Sequence, residues 1–175
     1  MIHNPQKIAN DGLVRPTVKD QIQQNGIDLT IKDVTRLYGH AEVRVDTKRL
    51  PGATKTNTTE TLDKHKQWRL EAGNAYIANL NETVKIPKDM CALIVMRSTF
   101  NRCGCLIMGC VFDSGYEGKP SLSIYPHVDI FIEENTRIAQ ILFFDAESAK
   151  LYDGQYQHQG IKEETAPEKP KKEGR

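Results

Sequence analysis

From Ile27 onward, apolar residues either alternate with polar ones or gather in short runs closed by Gly, Pro, Asn or Asp. Period-two alternation with that punctuation predicts strands. They fall at Ile27–Ile31, Glu42–Val45, Ala75–Leu80, Thr83–Ile86, Cys91–Met96, Leu106–Phe112, Ser121–Pro126, Asp129–Ile132 and Arg137–Phe144. Upstream, Gln6–Asp11 and Val18–Asn25 each suit a short helical turn. Many short strands without long intervening helices predict an all-β fold, either a barrel or a jelly roll. No internal repeat is visible.

Two stretches depart from this pattern. Asp46–Lys66 is polar, rich in Thr and Lys, and contains Pro51-Gly52. It predicts a long loop or irregular excursion, either a lid or an ordinary surface insertion. Ile161–Arg175 is almost wholly charged and contains Pro. Such a segment buries too little apolar area to offset chain entropy, so a disordered tail is expected. A length of 175 residues supports one core rather than two, giving one β-barrel domain over 1–160 and a tail over 161–175.

Charge and composition narrow the partners. The formal net charge of +1, with both signs interspersed, offers no continuous basic surface, so nucleic acid is not an expected partner and any bound phosphates are few. No apolar stretch approaches the roughly 20 residues that cross a bilayer. Met1–Asn10 also lacks the charged-then-apolar pattern of a signal peptide, so a cytoplasmic protein without membrane contact is expected. Cys91, Cys103, Cys105 and Cys110 lie in or beside predicted strands, where reduced thiols pack as small hydrophobes.

The densest chemistry lies between Met96 and Gly118. Arg97, Ser98 and Arg102 put two guanidinium forks and a hydroxyl beside a small-residue turn, which suits phosphate oxygens and equally suits a solvated strand end. Asp113 follows an apolar run and precedes Ser114-Gly115, so its carboxylate emerges at the end of a buried strand. There it can orient and deprotonate a water, or simply close a turn. Gly115 and Gly118 bracket Tyr116 in what predicts a tight hairpin, whose backbone N–H and C=O groups can read a base edge while the ring packs on a sugar.

Five segments in one order resemble the motifs of the dUTPase and dCTP deaminase superfamily. They are N-G-I-D-L at Asn25–Leu29, R-S-T-F-N-R at Arg97–Arg102, V-F-D-S-G-Y-E-G at Val111–Gly118, R-I-A-Q at Arg137–Gln140 and Y-D-G-Q-Y-Q-H-Q-G at Tyr152–Gly160. The resemblance spans Gln24–Gly160 and implies the distorted jelly-roll barrel of the trimeric dUTPase type. It also implies a homotrimer with sites at its subunit interfaces. Asp28 then lies near a Mg2+-bound triphosphate, touching the metal only through water and phosphate. Arg97, Ser98, Thr99 and Arg102 become the phosphate-binding segment, and Gln140 approaches the phosphates from a neighbouring subunit. Asp113 activates the attacking water, and Tyr116 stacks on deoxyribose. Tyr152, Gln155 and Gln159 belong to an arm that closes over the nucleotide, Gln159 matching a base-reading glutamine.

The position ten residues after Asp113 separates two reactions. Deaminases of this superfamily carry a glutamate there as general acid and base, whereas this chain has Ser123. A hydroxyl does not readily shuttle protons between water and a ring nitrogen. Hydrolysis needs an oriented water, cations and in-line geometry, which Asp113, Arg97, Arg102 and magnesium supply. The resemblance therefore implies attack on the α-phosphate of dUTP, giving dUMP and pyrophosphate. Gly115 and the Tyr152–Gly160 arm are deaminase-like, and Gln155 stands where deaminase-type arms usually carry a phosphate-binding lysine. A dCTP deaminase, a bifunctional enzyme, or a pyrophosphatase of dCTP or a modified pyrimidine triphosphate is the runner-up. Zinc deamination on another fold would need H-x-E and P-C-x-x-C elements, which are absent. A non-catalytic nucleotide sensor or protein-binding module is the third class.

Overall fold

The structure, a computed structural model, describes residues 1–45, 48–55, 59–60 and 66–161. It opens with α1 (Pro5–Asn10), where Pro5 starts the helix and the Asn4 side chain caps it by accepting from the backbone N–H groups of Gln6 and Lys7. The helical turn predicted at Val18–Asn25 is instead irregular chain pinned by the buried Gln21. Its carboxamide accepts from Thr17 N and Val18 N and donates to the Asp28 carbonyl, which prevents local helical bonding.

β1 (Ile27–Tyr38) is the spine of the molecule. Its first five residues, I-D-L-T-I, are all buried: Ile27, Leu29 and Ile31 enter the core, while Asp28 and Thr30 are covered on the other face and hydrogen-bonded to Gln140 and Glu82. Along the chain follow β2 (Glu42–Val43), β3 (Lys48–Arg49), β4 (Gly52–Lys55), β5 (Thr59–Glu60), β6 (Lys66–Leu70), β7 (Tyr76–Leu80), β8 (Val84–Lys85) and β9 (Met90–Met96). The short helix α2 (Ser98–Arg102) leads into β10 (Cys105–Met108) and β11 (Val111–Phe112). Next come β12 (Glu117–Gly118), β13 (Ser121–Pro126), β14 (Ile130–Glu133) and β15 (Arg137–Asp145).

The main sheet runs β10-β13-β7-β1-β15-β9-β11, with β4 added to β1. Its two ends, β10 and β11, are consecutive in the chain and joined only by Gly109-Cys110, so the sheet curls back on itself into a distorted jelly-roll barrel. The strand predicted over Leu106–Phe112 is therefore two strands. The break needs glycine, because a Cβ on Gly109 would lie 2.1 Å from the Ile94 carbonyl oxygen. Inside the curl, Leu29, Ile31, Leu80, Leu122, Ile124, Ile138 and Ile141 are almost fully buried.

Three further expectations are corrected. Gly52–Lys55, within the predicted loop, pairs antiparallel with Thr35–Tyr38 because β1 extends seven residues past Ile31 and offers a free edge. Lys66–Leu70 is a strand against β14, its pattern too charged to stand out. The thiols are not all packed: Cys105 is buried and pushed up to about 11 by that burial, whereas Cys103 and Cys110 are exposed. No helix is long and apolar enough to cross a membrane among the described residues. The predicted tail beyond Ile161, and much of 46–66, lie outside the described residues.

Candidate active site

A cavity of about 560 Å³ opens between the end of β11, the strands β1, β4, β7 and β13, and the segment 152–159. The exposed Asp113 lines it, together with Tyr116, Tyr152 and Gln159. Tyr116 is buried between two rings, Phe112 at 5.1 Å and Tyr152 at 5.6 Å between centroids, both edge to face. Burial, then the neighbouring Tyr152 and Cys110, push the Tyr116 hydroxyl up to about 12, so it stays neutral. Cys110 also lines the cavity; burial and then the Asp113 charge raise its pKa, which keeps the thiol protonated and poorly nucleophilic. Gly115 turns the chain at φ +87°, a conformation that favours glycine.

The hairpin backbone does not lie open as expected. On one edge Gly115 N–H donates to the Ile86 carbonyl, Ile86 N–H donates to the Tyr116 carbonyl, and β12 pairs with β8. On the other edge, Tyr152 N–H donates to Ser114 O, His158 N–H to Glu117 O and Lys119 N–H to Gln159 O. The Gln157 carboxamide bridges the remainder, donating to Gly115 O at 2.9 Å and accepting from Glu117 N–H at 3.1 Å. The C-terminal segment, a run of turns rather than a strand, thus covers this edge of the hairpin.

A second, charged cluster forms where β1, β9 and β15 adjoin. Asp28, opposite Gln140 in the β1–β15 register, is 1% exposed. Its Oδ1 accepts from Gln140 Nε2 at 3.2 Å, and its Oδ2 lies 3.2 Å from Arg97 Nε and 3.5 Å from an Arg137 nitrogen without a hydrogen bond. Burial raises the Asp28 pKa against the opposing pull of Arg97, Gln140 and Arg137. Arg97 also donates to the Arg137 carbonyl, while Ser98, Thr99 and Arg102 are exposed on α2. Glu82, wholly buried, anchors the neighbouring backbone by accepting from Thr17, Gln21 and the N–H and hydroxyl of Thr30.

The structure therefore brings the expected residues together in two groups. Asp113, Tyr116, Tyr152 and Gln159 share the cavity; Asp28, Arg97 and Gln140 share the charged cluster; Gln155 is exposed and lines neither. Sequence reasoning missed Arg137, though R-I-A-Q contained it, and Tyr156, which lines the cavity with Lys48 seated 4.9 Å above its ring. It also missed Asn79 and Ser121 on the cavity wall. Among the described residues, no three His, Cys, Asp or Glu side chains cluster as a metal cage. Asp28 is already engaged by two guanidiniums, so these residues fit magnesium only as an ion carried by a substrate's phosphates.

The family model described as dCTP deaminase-like matches residues 4–146. A probable deoxyuridine 5'-triphosphate nucleotidohydrolase of Archaeoglobus fulgidus is 36% identical over 161 residues, which are 88% of this chain and 92% of that protein. The deoxyuridine 5'-triphosphate nucleotidohydrolase of Methanocaldococcus jannaschii is 30% identical over 141 residues, 79% of this chain and 88% of its own. In fold, the chain is similar to the 2'-deoxycytidine 5'-triphosphate deaminase of Agrobacterium tumefaciens, with a TM-score of 0.63 and 19% identity over 81% of this chain. It spans only 46% of the length of that deaminase chain. With most of its length matched by the family model and by relatives at this identity, the chain belongs to the dCTP deaminase-like family.

Proposed function

We propose that this protein is a dUTP diphosphatase, hydrolysing dUTP to dUMP and pyrophosphate. Asp113 accepts a proton from a water whose oxygen bonds to the α-phosphorus, while the bond from that phosphorus to the bridging oxygen breaks and pyrophosphate leaves. The observation that carries this reading is Asp113 itself. Among the described residues it is the one carboxylate on the cavity wall, and no imidazole lines the cavity. Deamination requires proton transfer to a ring nitrogen, and Ser123, the position that would supply it, does not line the cavity. The family match and the names of the relatives point the same way.

Tyr116, packed beneath the cavity by Phe112 and Tyr152, is the surface for the sugar. Arg97, Ser98, Thr99, Arg102 and Gln140 bind the phosphates from a neighbouring subunit of a homotrimer. Two observations support shared sites. Phe112 pairs with Ala92, so Arg97, just past the end of β9, lies five residues further along the chain, about 17 Å from the Asp113 end at ~3.3 Å per residue. The Arg97 guanidinium is moreover engaged by Asp28 at 3.2 Å and does not line the cavity that holds Asp113. Leu106, Met108 and Val111, beside the cavity on β10 and β11, are exposed apolar residues suited to subunit contact. Magnesium arriving on the triphosphate neutralises charge that the arginines alone would leave.

The test is to incubate the protein and magnesium with dUTP, dCTP, dTTP and UTP separately, following pyrophosphate and ammonia. Pyrophosphate with dUMP from dUTP, and no ammonia from dCTP, is expected. Ammonia from dCTP would establish a deaminase or bifunctional enzyme instead, and nucleotide binding without turnover of any of them would favour a sensor.

A further inference from the structure

Asp113 follows a strand only two residues long, yet a general base works only where its carboxylate is held within reach of the water it deprotonates. β11 pairs Val111 with Leu93 and Phe112 with Ala92, so the same register sets Ser114 opposite Met90, beyond the last paired residue. There a side chain takes over from the backbone. The Ser114 hydroxyl donates to the Met90 carbonyl at 2.5 Å. A carbonyl oxygen only accepts, which commits the Ser114 proton, so the Ser148 hydroxyl, also at 2.5 Å, donates to Ser114 Oγ. Asp113 is exposed on the cavity wall and Ser114 is 1% exposed, so the chain presents one side chain to the cavity and turns the next inward. Tyr116 N–H closes the turn on the Asp113 carbonyl at 3.1 Å, with a positive φ at Gly115 and not at Ser114, the pattern of a type II turn. The Ser114 carbonyl accepts from Tyr152 N–H at 2.8 Å. A single buried residue thus ties the start of β9, the chain after β15 and the segment at Tyr152 to the turn that carries Asp113.

We propose that Ser114 is the positioning residue of Asp113: the Ser148–Ser114–Met90 relay pins the turn from behind and holds the Asp113 carboxylate toward the water it deprotonates. The inference rests on the dUTP reading and adds to it a residue that acts only through Asp113. The bond from Ser114 to Met90 replaces the next rung of the β9–β11 ladder, and burial of Ser114 keeps water from competing for it. Met90 is fixed in turn, because β9 pairs with β15 from Met90, opposite Asp145, to Met96. The turn is therefore held to the continuous part of the sheet and not merely to a two-residue strand. A misplacement of about 1 Å can cost about 10²-fold in rate, so loss of the relay shows in turnover before it shows in affinity.

The test is a double-mutant cycle of Ser114→Ala and Asp113→Asn, read as kcat and KM for dUTP with magnesium. Ser114→Ala is expected to lower kcat about tenfold while KM stays within about twofold of wild type. In the Asp113→Asn background it is expected to have no further effect on the residual turnover, because the carboxylate it positions is already gone. Equal losses in both backgrounds, or an unchanged kcat in Ser114→Ala, overturn the proposal. Should Ser114→Ala fail to fold, Ser148→Ala runs through the same cycle; it removes half of the relay at an exposed residue, with an expected loss of about threefold in kcat. NMR order parameters of the Asp113–Tyr116 amides, measured without nucleotide, separate this from failure of the dUTP reading. Values near about 0.85 in the wild type that fall in the Ser114→Ala or Ser148→Ala protein support the anchoring whatever the substrate. A turn already mobile in the wild type, or equally rigid in wild type and variant, overturns it even if dUTP is hydrolysed.

Discussion

The cavity around Asp113 and the cluster around Asp28 solve opposite electrostatic problems. Among the described residues the cavity holds one exposed carboxylate amid tyrosines and neutral amides, and Tyr116 and Cys110 beside it are held protonated. In the cluster a buried carboxylate is bracketed by two guanidiniums, leaving the local balance positive before any ligand arrives. The first suits an uncharged base and a water to be deprotonated; the second suits phosphates. Their separation across the barrel is what the proposal of a site shared between subunits explains, each region being suited to one part of a nucleotide.

The sharpest break in that comparison is Asp113→Asn, which removes the proposed base and leaves the fold. A loss of about 10³-fold in kcat is expected, because general-base catalysis contributes roughly 10²–10⁴-fold, with melting temperature unchanged for so exposed a side chain. Measured kcat near wild type would remove Asp113 from the mechanism.

Division between subunits is tested by mixing two inactive variants. Asp113→Asn and Arg97→Ala, refolded together, should recover about a quarter of wild-type activity, because random trimers pair an intact Asp113 with a neighbour's intact Arg97 at that frequency. Recovery that never exceeds the separate variants would mean that each subunit holds its own site. Glu82→Ala probes the scaffold beneath the charged cluster. Removing an acceptor shared by Thr17, Gln21 and Thr30 leaves buried donors unpaired, at a cost of about 3 kcal/mol in stability by denaturant titration.

The cavity was the more legible region in the sequence. Asp113, Ser114, Gly115 and Tyr116 are neighbours in the chain, and a turn that needs a left-handed Gly115 fixes their relation locally. Asp28 and Gln140 were readable only through motif resemblance, whereas Arg97 stood out beside Ser98 and Arg102 as a guanidinium suited equally to phosphate or to a solvated strand end. Arg137, Asn79 and Ser121 were not readable, because their places depend on cross-strand register. That register shifts at the irregularities after Leu29 and Ile31, which no local pattern announces. β4 escaped for a related reason: its polar residues pair with an edge that exists only because β1 runs on to Tyr38. The closure of the barrel turned on Gly109, whose need for close approach to Ile94 is a tertiary fact.

The smallest expected effect distinguishes buried from exposed charge by pH. Asp28 has its pKa raised by burial above the ordinary 3.8, so the folded state binds its proton more tightly than the unfolded chain does. Its ionisation therefore costs stability as pH rises through the raised value, and below 3.8 that cost is absent. Asp129 is opposite in sign. The Ala72 N–H and then the hydrogen bond from Arg69 hold it below 3.8, so its contribution is present above that value and is lost as pH falls through the depressed one. Melting temperatures from pH 3 to 7 should show Asp28→Asn gaining on wild type as pH rises, and Asp129→Asn losing to wild type over the same range. The second difference should shrink in high salt, because the Arg69–Asp129 pair is exposed, whereas the first should persist because Asp28 is buried. Identical pH profiles for wild type and Asp28→Asn would show that the two guanidiniums offset the burial of Asp28 in full, and that the charged cluster carries no ionisation cost into phosphate binding.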